Sequence, residues 1–384
     1  MKPSKKSPAA KAAKPTPLPK PAPTAKPPTD PAATPLSRLG FAVLVLGQPG
    51  LKSNDTRRWQ KNPHLRTSIE YLDAIFTYLQ RQDIRMYRMS SDVAPYVTHP
   101  DMPQFHNQVS ESADDLRALG AKANAAGIRL SFHPSQYTIL NSPNPELNRK
   151  SVLDIESQAN ILDLMGAGPE GVIVVHVGGV YGEKPAAIDR WVESYHNLLP
   201  EASKRRLVLE NDDISYHAGD VLKIHERTGV PLVFDSHHFC CHNPERLDLA
   251  DTARRFLASW PSGVRPKTHL SSPRTQMREL KRKNRQTKKN ETVALPPVWT
   301  GHADYVDPFS FIDLVGKMPA GAEYDIMLEA KVKDLALRRL RNDLLRYAPD
   351  LAARFGLLVP EEIPEEEEII LSEPPELQEA AALP

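Results

Sequence analysis

Six side chains able to hold a divalent cation close short apolar runs of this 384-residue chain. His133 ends Ser-Phe-His, His176 ends Val-Val-His, Glu210 ends Val-Leu-Glu, Asp235 ends Val-Phe-Asp, His269 ends Lys-Thr-His and Glu329 ends Met-Leu-Glu. Three further histidines lie close by in sequence: His99 after an earlier run, His238 three residues past Asp235, and His302 ahead of the last run. A single histidine in such a place is ordinarily a loop or core residue, and a single carboxylate is ordinarily a helix cap. Repetition changes that reading, because crowding so many carboxylates and imidazoles together without a cation carries a large desolvation cost. Imidazole and carboxylate without thiolate suit Mn²⁺, Zn²⁺ or Fe²⁺, and the ligands outnumber the needs of one ion. Two or three ions are expected. Clustered ions about 3.5 to 4 Å apart serve phosphate-ester hydrolysis. Two-metal sugar isomerases use similar ligands, so the site alone leaves both chemistries open.

The apolar runs that deliver these residues predict strands near Gly40–Leu46, Ile84–Met89, Ile128–Phe132, Val172–Val177, Arg206–Leu209, Pro231–Phe234, Val264–His269 and Asp325–Leu328. Amphipathic stretches between them predict helices around Ser68–Arg81, Ser110–Ala126, Arg149–Gly166, Pro185–Ser203, Ala218–Thr228, Asn243–Ser259, Pro308–Met318 and Val332–Tyr347. Strict alternation of strand and helix predicts a parallel α/β sheet, and eight such units predict closure into a (β/α)₈ TIM-type barrel. An open doubly wound sheet is the competitor, weakened by the lack of a G-x-G-x-x-G turn after the first strand. In a barrel the chemistry sits at the C-terminal ends of the strands, where the candidate ligands fall.

Composition bounds the rest. Residues 1–37 hold 11 of the 37 prolines and carry a charge of +6, whereas residues 357–384 hold nine Glu and no basic residue. The expected organisation is a disordered Lys/Pro/Ala-rich basic arm at 1–37, a barrel over 38–356 and an acidic Glu/Pro-rich tail at 357–384. Such asymmetry fits nucleic acid as a partner. No run of 18 apolar residues occurs and no apolar leader opens the chain, so a soluble, intracellular monomer without a membrane partner is expected. It would be cytoplasmic and nucleoid-associated in a bacterium, or nuclear in a eukaryote. Cys240 and Cys241 are neighbours with no C-x-x-C spacing, which excludes a cysteine zinc ribbon and predicts thiols packed in a reduced interior.

Two features favour a nucleic-acid substrate over a sugar. The connection after the seventh predicted strand, Arg274 to Lys289, carries eight basic residues against Glu279, with Lys281, Arg282 and Lys283 as possible phosphate contacts. After the third strand, Gln136 and Tyr137 place an amide and an aromatic beside His133, a pair able to wedge into a base stack.

The motifs Arg88-Met-Ser-Ser-Asp-Val-Ala-Pro with His99, Ser131-Phe-His-Pro-Ser-Gln-Tyr137, Val175-His-Val-Gly-Gly179, Leu209-Glu-Asn-Asp212, Phe234-Asp-Ser-His-His238, Lys267-Thr-His-Leu-Ser-Ser272, Gly301-His-Ala-Asp-Tyr305 and Met327-Leu-Glu-Ala-Lys331 run in this order along the chain. In this the sequence resembles the UV damage endonucleases, metal-dependent repair enzymes related to the endonuclease IV barrel. The resemblance implies incision of damaged double-stranded DNA immediately 5′ to the lesion. It makes His99, His133, His176, Glu210, Asp235, His238, His269, His302 and Glu329 the metal-site residues, usually with three Mn²⁺. Lys267 matches a lysine that members carry carboxylated; the alternative is an unmodified phosphate clamp. Both Glu210, as a bridging carboxylate, and Lys267 are thereby candidate catalytic residues. Gln136 and Tyr137 match the pair that fills the gap left by an extruded lesion. Phe41 stands where members commonly carry a tyrosine lining the damage groove, and the asparagine expected nearby is missing, so the nuclease assignment carries over and the family's breadth of lesion recognition does not.

Overall fold

The structure, a computed structural model, describes residues 37–357 apart from Arg285, so the two expected charged segments lie almost wholly outside the described residues. Its strands are β1 (Leu39–Ala42), β2 (Met86–Arg88), β3 (Arg129–Phe132), β4 (Val172–Val175), β5 (Leu207–Glu210), β6 (Leu232–Asp235), β7 (Lys267–Leu270), β8 (Pro273–Arg274), β9 (Arg278–Lys283), β10 (Asn290–Leu295), β11 (Val298–His302) and β12 (Asp325–Leu328). Eight of them close a barrel in the order β1-β12-β7-β6-β5-β4-β3-β2, every pairing parallel. Helices such as Leu65–Arg81 and Pro145–Leu164 fill the connections, and Lys333–Tyr347 follows the last strand. The expected (β/α)₈ barrel is the observed one. Among the described residues no helix is long and apolar enough to cross a membrane.

Side chains alternate across each strand, which sorts them into two sets. Leu39, Phe41, Tyr87, Leu130, Phe132, Ile173, Val175, Leu207, Leu209, Leu232, Phe234, Leu270, Ile326 and Leu328 pack outward in one apolar core with the helices. Their alternates point inward, where Val172, Val174, Val208 and Val233 form a separate small cluster with Trp260. Room inside is tight: a Cβ on Gly40 would stand 2.7 Å from Met86 Cγ on the adjacent strand. At the N-terminal end the interior is closed by charge, with Arg129 Nη1 donating to Asp325 Oδ2 at 2.9 Å and Arg38 Nη1 to the same oxygen at 2.8 Å.

Several elements depart from the sequence expectation: the helices expected over Pro185–Ser203 and Ser110–Ala126 are each divided in two, as Lys184–Asn197 with Glu201–Lys204 and Gln108–Glu111 with Ala113–Ala125. Strand β1 ends at Ala42 instead of reaching Leu46, because Val43 takes φ 64°, a left-handed conformation that strains a β-branched residue. The backbone there is held from both sides, with Val43 N–H donating to Arg88 O (2.9 Å) and Tyr87 Oη donating to Val43 O (2.6 Å). The helix expected from Asn243 begins at Leu249, capped by Asp248, since Asn243 is spent closing a turn with Leu247. The basic connection is no plain loop: β9 and β10 form an antiparallel hairpin, and β8 pairs with β11 beneath it. Cys240 and Cys241 also differ from expectation, being exposed and half-buried, because the short helix Ser236–Cys241 turns its last residues away from the core.

Candidate metal centre

The inward parity of the strands fixes the site. One pleat above Ser131, Val174, Val208, Val233, Lys267 and Met327, the next inward positions are His133, His176, Glu210, Asp235, His269 and Glu329. They meet at the C-terminal mouth as three groups whose ligand atoms lie within 4.8 Å of one another: His133, His176 and Glu210; His133, His269 and Glu329; Glu210, Asp235 and His238. Glu210 and His133 each belong to two groups. Glu210 is fully buried, and its two oxygens face His269 Nδ1 (2.8 Å) and His133 Nε2 (3.1 Å), with His176 Nε2 at 3.7 Å.

The flanking residues aim these ligands. His133 Nδ1 lies against Pro134 O (3.1 Å), His238 Nδ1 against Asn211 O (3.0 Å) and His302 Nδ1 against Glu329 O (2.8 Å). A ring N–H donating to a carbonyl fixes the tautomer and leaves Nε2 as the basic nitrogen, the usual support of a metal-bound histidine. Asp235 caps the helix Ser236–Cys241 by accepting from His238 N–H through Oδ1 at 2.7 Å, and its Oδ2 is buried without a partner. His176 Nδ1 and His269 Nε2 are likewise buried and unpartnered. A buried carboxylate oxygen without a partner, among ligand atoms gathered within 4.8 Å of one another, is costly unless a cation meets it, so the residues present fit divalent metal.

Charge within the centre is divided unevenly. Burial, reinforced by Glu329 and Asp235, pushes the Glu210 carboxyl well above the usual range. Glu329 goes the other way: burial opposes its ionisation, but the Arg88 guanidinium beside it holds it well below. Burial lowers His133, His176 and His269, with Arg88 adding to the effect on His133, so these imidazoles are neutral and able to ligate. Arg88, ion-paired to Glu329, was quoted in a motif but given no role by sequence; its inward position two residues after Met86 was the available signal. Asn211 and Ser131 were missed in the same way. Lys267 is fully buried one layer below the ligands, donates to Ser131 Oγ at 3.0 Å, and has its pKa driven well below the usual value by burial and by Arg88 and Arg129.

The remaining expected residues are dispersed. His302 joins through Glu329, with Nδ1 also 3.6 Å from its Oε2. His99 stands apart among the described contacts, its Nδ1 accepting from Asp101 N–H and its ring edge-on to Tyr96. Phe41 corrects the expectation of a groove-lining residue: it shares the outward parity of Leu39, is fully buried, and packs edge-on against Tyr87 at 5.4 Å. Gln136 is exposed and Tyr137 is 71% exposed on the mouth loop after β3. Ile214 and Tyr181, exposed on the loops after β5 and β4, share that rim and were not anticipated. The three loops are tied together, since Asn141 Nδ2 donates to Gly179 O (2.8 Å) and Tyr216 Oη donates to the same carbonyl (3.0 Å).

Fold and centre together define a (β/α)₈ barrel with histidine–carboxylate groups at its mouth that could hold metal ions. Within that class, the family model described as UV-endonuclease UvdE matches residues 57–352, and the chain belongs to that family. It is 35% identical over 269 residues to the UV DNA damage endonuclease of Bacillus velezensis, covering 70% of this chain and 77% of that protein. The UV DNA damage endonuclease of Bacillus pumilus is 34% identical over 264 residues, covering 68% and 75%. The crystal structure of SacUVDE superposes with a TM-score of 0.67 at 28% identity, covering 81% of this chain and 98% of that one.

Proposed function

We propose that this chain is a DNA repair endonuclease that hydrolyses the phosphodiester bond 5′ to a UV photoproduct or other distorting lesion in duplex DNA, leaving a 3′-hydroxyl and a 5′-phosphate. The observation that carries the reading is Glu210, shared between two ligand groups at the barrel mouth beside an exposed Gln136–Tyr137 loop. A centre of three Mn²⁺, or of Zn²⁺ or another divalent ion, would be held by His133, His176, Glu210, Asp235, His238, His269, His302 and Glu329, with His99 brought in from its loop. Such ions supply hydroxide near neutral pH and offset charge on the attacked phosphate and the leaving oxygen.

The chain's own residues do the rest. Gln136 and Tyr137 enter the stack where pairing is weakened, and extrusion of the damaged nucleotides brings the backbone to the mouth. Glu210, fixed between His133 and His269, keeps the two ligand groups in one frame. Arg88 holds Glu329 ionised as a ligand. Complete burial removes Lys267 from reach of a phosphate in solvent and favours a neutral amine that adds CO₂, losing a proton to become a carbamate. A gain of one CO₂ in the intact mass near neutral pH would support this. The test of the function is incision of UV-irradiated and unirradiated plasmid with Mn²⁺ and with chelator. Nicking confined to irradiated plasmid and lost with chelator is expected; turnover of a sugar without nicking would overturn it.

A further inference from the structure

The β9–β10 hairpin is where the structure adds most to the sequence. Its strands pair with each other from Asn290↔Lys283 to Leu295↔Arg278, with no other strand alongside. Alternation gives it two unlike faces. One carries Arg278, Leu280 and Arg282 opposite Leu295, Val293 and Glu291, and three of these six, Leu280, Val293 and Glu291, are half-buried. The other carries Glu279, Lys281 and Lys283 opposite Ala294, Thr292 and Asn290, and every one is exposed. Arg282 is engaged on its own face, its Nε donating to Glu291 Oε1 at 3.1 Å while Asn284 Nδ2 holds Oε2 at 2.7 Å. Among the described contacts Lys281 and Lys283 meet no carboxylate, and Lys288 and Lys289 extend the exposed charge into the turn. Three neighbouring exposed basic residues that look alike in sequence thus divide into one that is ion-paired across the hairpin and two that meet no carboxylate among the described contacts.

The hairpin also has a fixed relation to the metal centre. It rises from the β8–β11 ribbon, in which His302 pairs with Pro273, and His302 lies against Glu329. The arm therefore leaves the chain next to a ribbon that carries one of the candidate ligands. Two lysines one pleat apart stand about 6.7 Å from each other along a strand, comparable with the step between successive phosphates of one nucleic-acid strand.

We infer that the hairpin is a DNA-binding arm that contacts two backbone phosphates through Lys281 and Lys283, with Arg282 acting as its internal brace. This rests on the endonuclease reading for its occupant. Phosphate contacts carry no base or lesion information, so the arm adds affinity equally to damaged and undamaged duplex.

The experiment is a salt series of duplex titrations with the full chain. Changing Lys281→Gln and Lys283→Gln together is expected to flatten the slope of log K against log salt by about 1.8, two contacts at about 0.9 each, on both substrates. The pair Lys281→Arg and Lys283→Arg keeps the slope, and Arg282→Gln alters it by less than half as much as the glutamine pair. An unchanged slope in the glutamine pair would overturn the arm, and an equal effect from Arg282→Gln would overturn the division of faces. Wild-type incision of irradiated plasmid is read in parallel. Loss of the slope effect with normal wild-type incision sinks the arm alone, whereas intact slope effects without wild-type incision sink the endonuclease reading.

Discussion

Asn211 and Asp235, at the ends of neighbouring strands β5 and β6, exchange two hydrogen bonds: the Asn211 side-chain amide donates to Asp235 O at 3.0 Å and its carbonyl accepts from Asp235 N–H at 3.0 Å. Asn211 O also receives His238 Nδ1, so one residue positions two ligands of one group. Replacing Asn211 by Ala leaves two buried backbone groups unpaired and frees the Asp235 turn. Incision is expected to fall about 10- to 100-fold, with weaker metal affinity and a lower melting temperature. Full activity at limiting Mn²⁺ would show that Asp235 is held by its strand alone.

Glu210→Gln tests the shared carboxylate directly. The amide keeps the shape and removes one negative charge from a position common to two ligand groups. Incision should drop at least about 100-fold while damaged-duplex binding is largely kept, because no DNA-facing side chain changes. Retention of more than about a tenth of the wild-type rate would remove Glu210 from the centre of the reaction.

Much of this site was legible because strand parity and barrel closure are both written in short β-branched runs. Once Val-Leu-Glu and Met-Leu-Glu end strands of one barrel, Glu210 and Glu329 must face the same interior point. Phe41 failed by the same rule: its parity with Leu39 turns it to the helices, and position alone did not reveal that. The β9–β10 hairpin was unreadable since clustered lysine and arginine mask period-two alternation, and Leu280 and Val293 are too few apolar residues to show it. Arg88 was hidden because its meaning depends on Glu329, 241 residues away.

The probing pair makes a selectivity prediction. Gln136 and Tyr137 stand exposed on a loop braced to its neighbours through Asn141 and Gly179, so truncating them should leave the rim in place. The double change Gln136→Ala and Tyr137→Ala is expected to weaken binding of lesion-containing duplex far more than of undamaged duplex, since stacking of an aromatic is worth roughly 1 to 3 kcal/mol per base and needs an opened gap. Equal weakening on both substrates would make the pair an ordinary surface contact.

Metal loading should release protons. With Glu210 pushed upward by burial and by Glu329 and Asp235, the metal-free centre holds a proton on that carboxyl to higher pH than a free glutamate does, and an arriving cation expels it. Apparent Mn²⁺ affinity should therefore rise with pH above the usual carboxylate range, and addition of Mn²⁺ to weakly buffered apoprotein should acidify the solution. Glu210→Gln should release fewer protons than wild type. A pH-independent affinity with no acidification would place the proton elsewhere.

The two charged segments outside the described residues join the barrel at adjacent points, because Ser37 N–H donates to Arg354 O at 3.2 Å. Residues 1–37 carry +6 and residues 357–384 carry nine Glu, so the two segments should act on a polyanion with opposite sign. A lysine-rich segment that attracts a polyanion by charge alone contributes encounter and non-specific attraction, not lesion preference. Deleting residues 1–36 should slow association at low salt and leave the ratio of damaged to undamaged affinity unchanged. Deleting residues 358–384 should do the reverse to non-specific binding, tightening it at low salt, with the effect fading as the screening length shrinks to about 8 Å at physiological ionic strength. Stopped-flow association and equilibrium titrations across one salt series check both deletions. A change in the damaged-to-undamaged ratio on removing residues 1–36 would mean that this segment contacts the lesion, and the electrostatic account would fall.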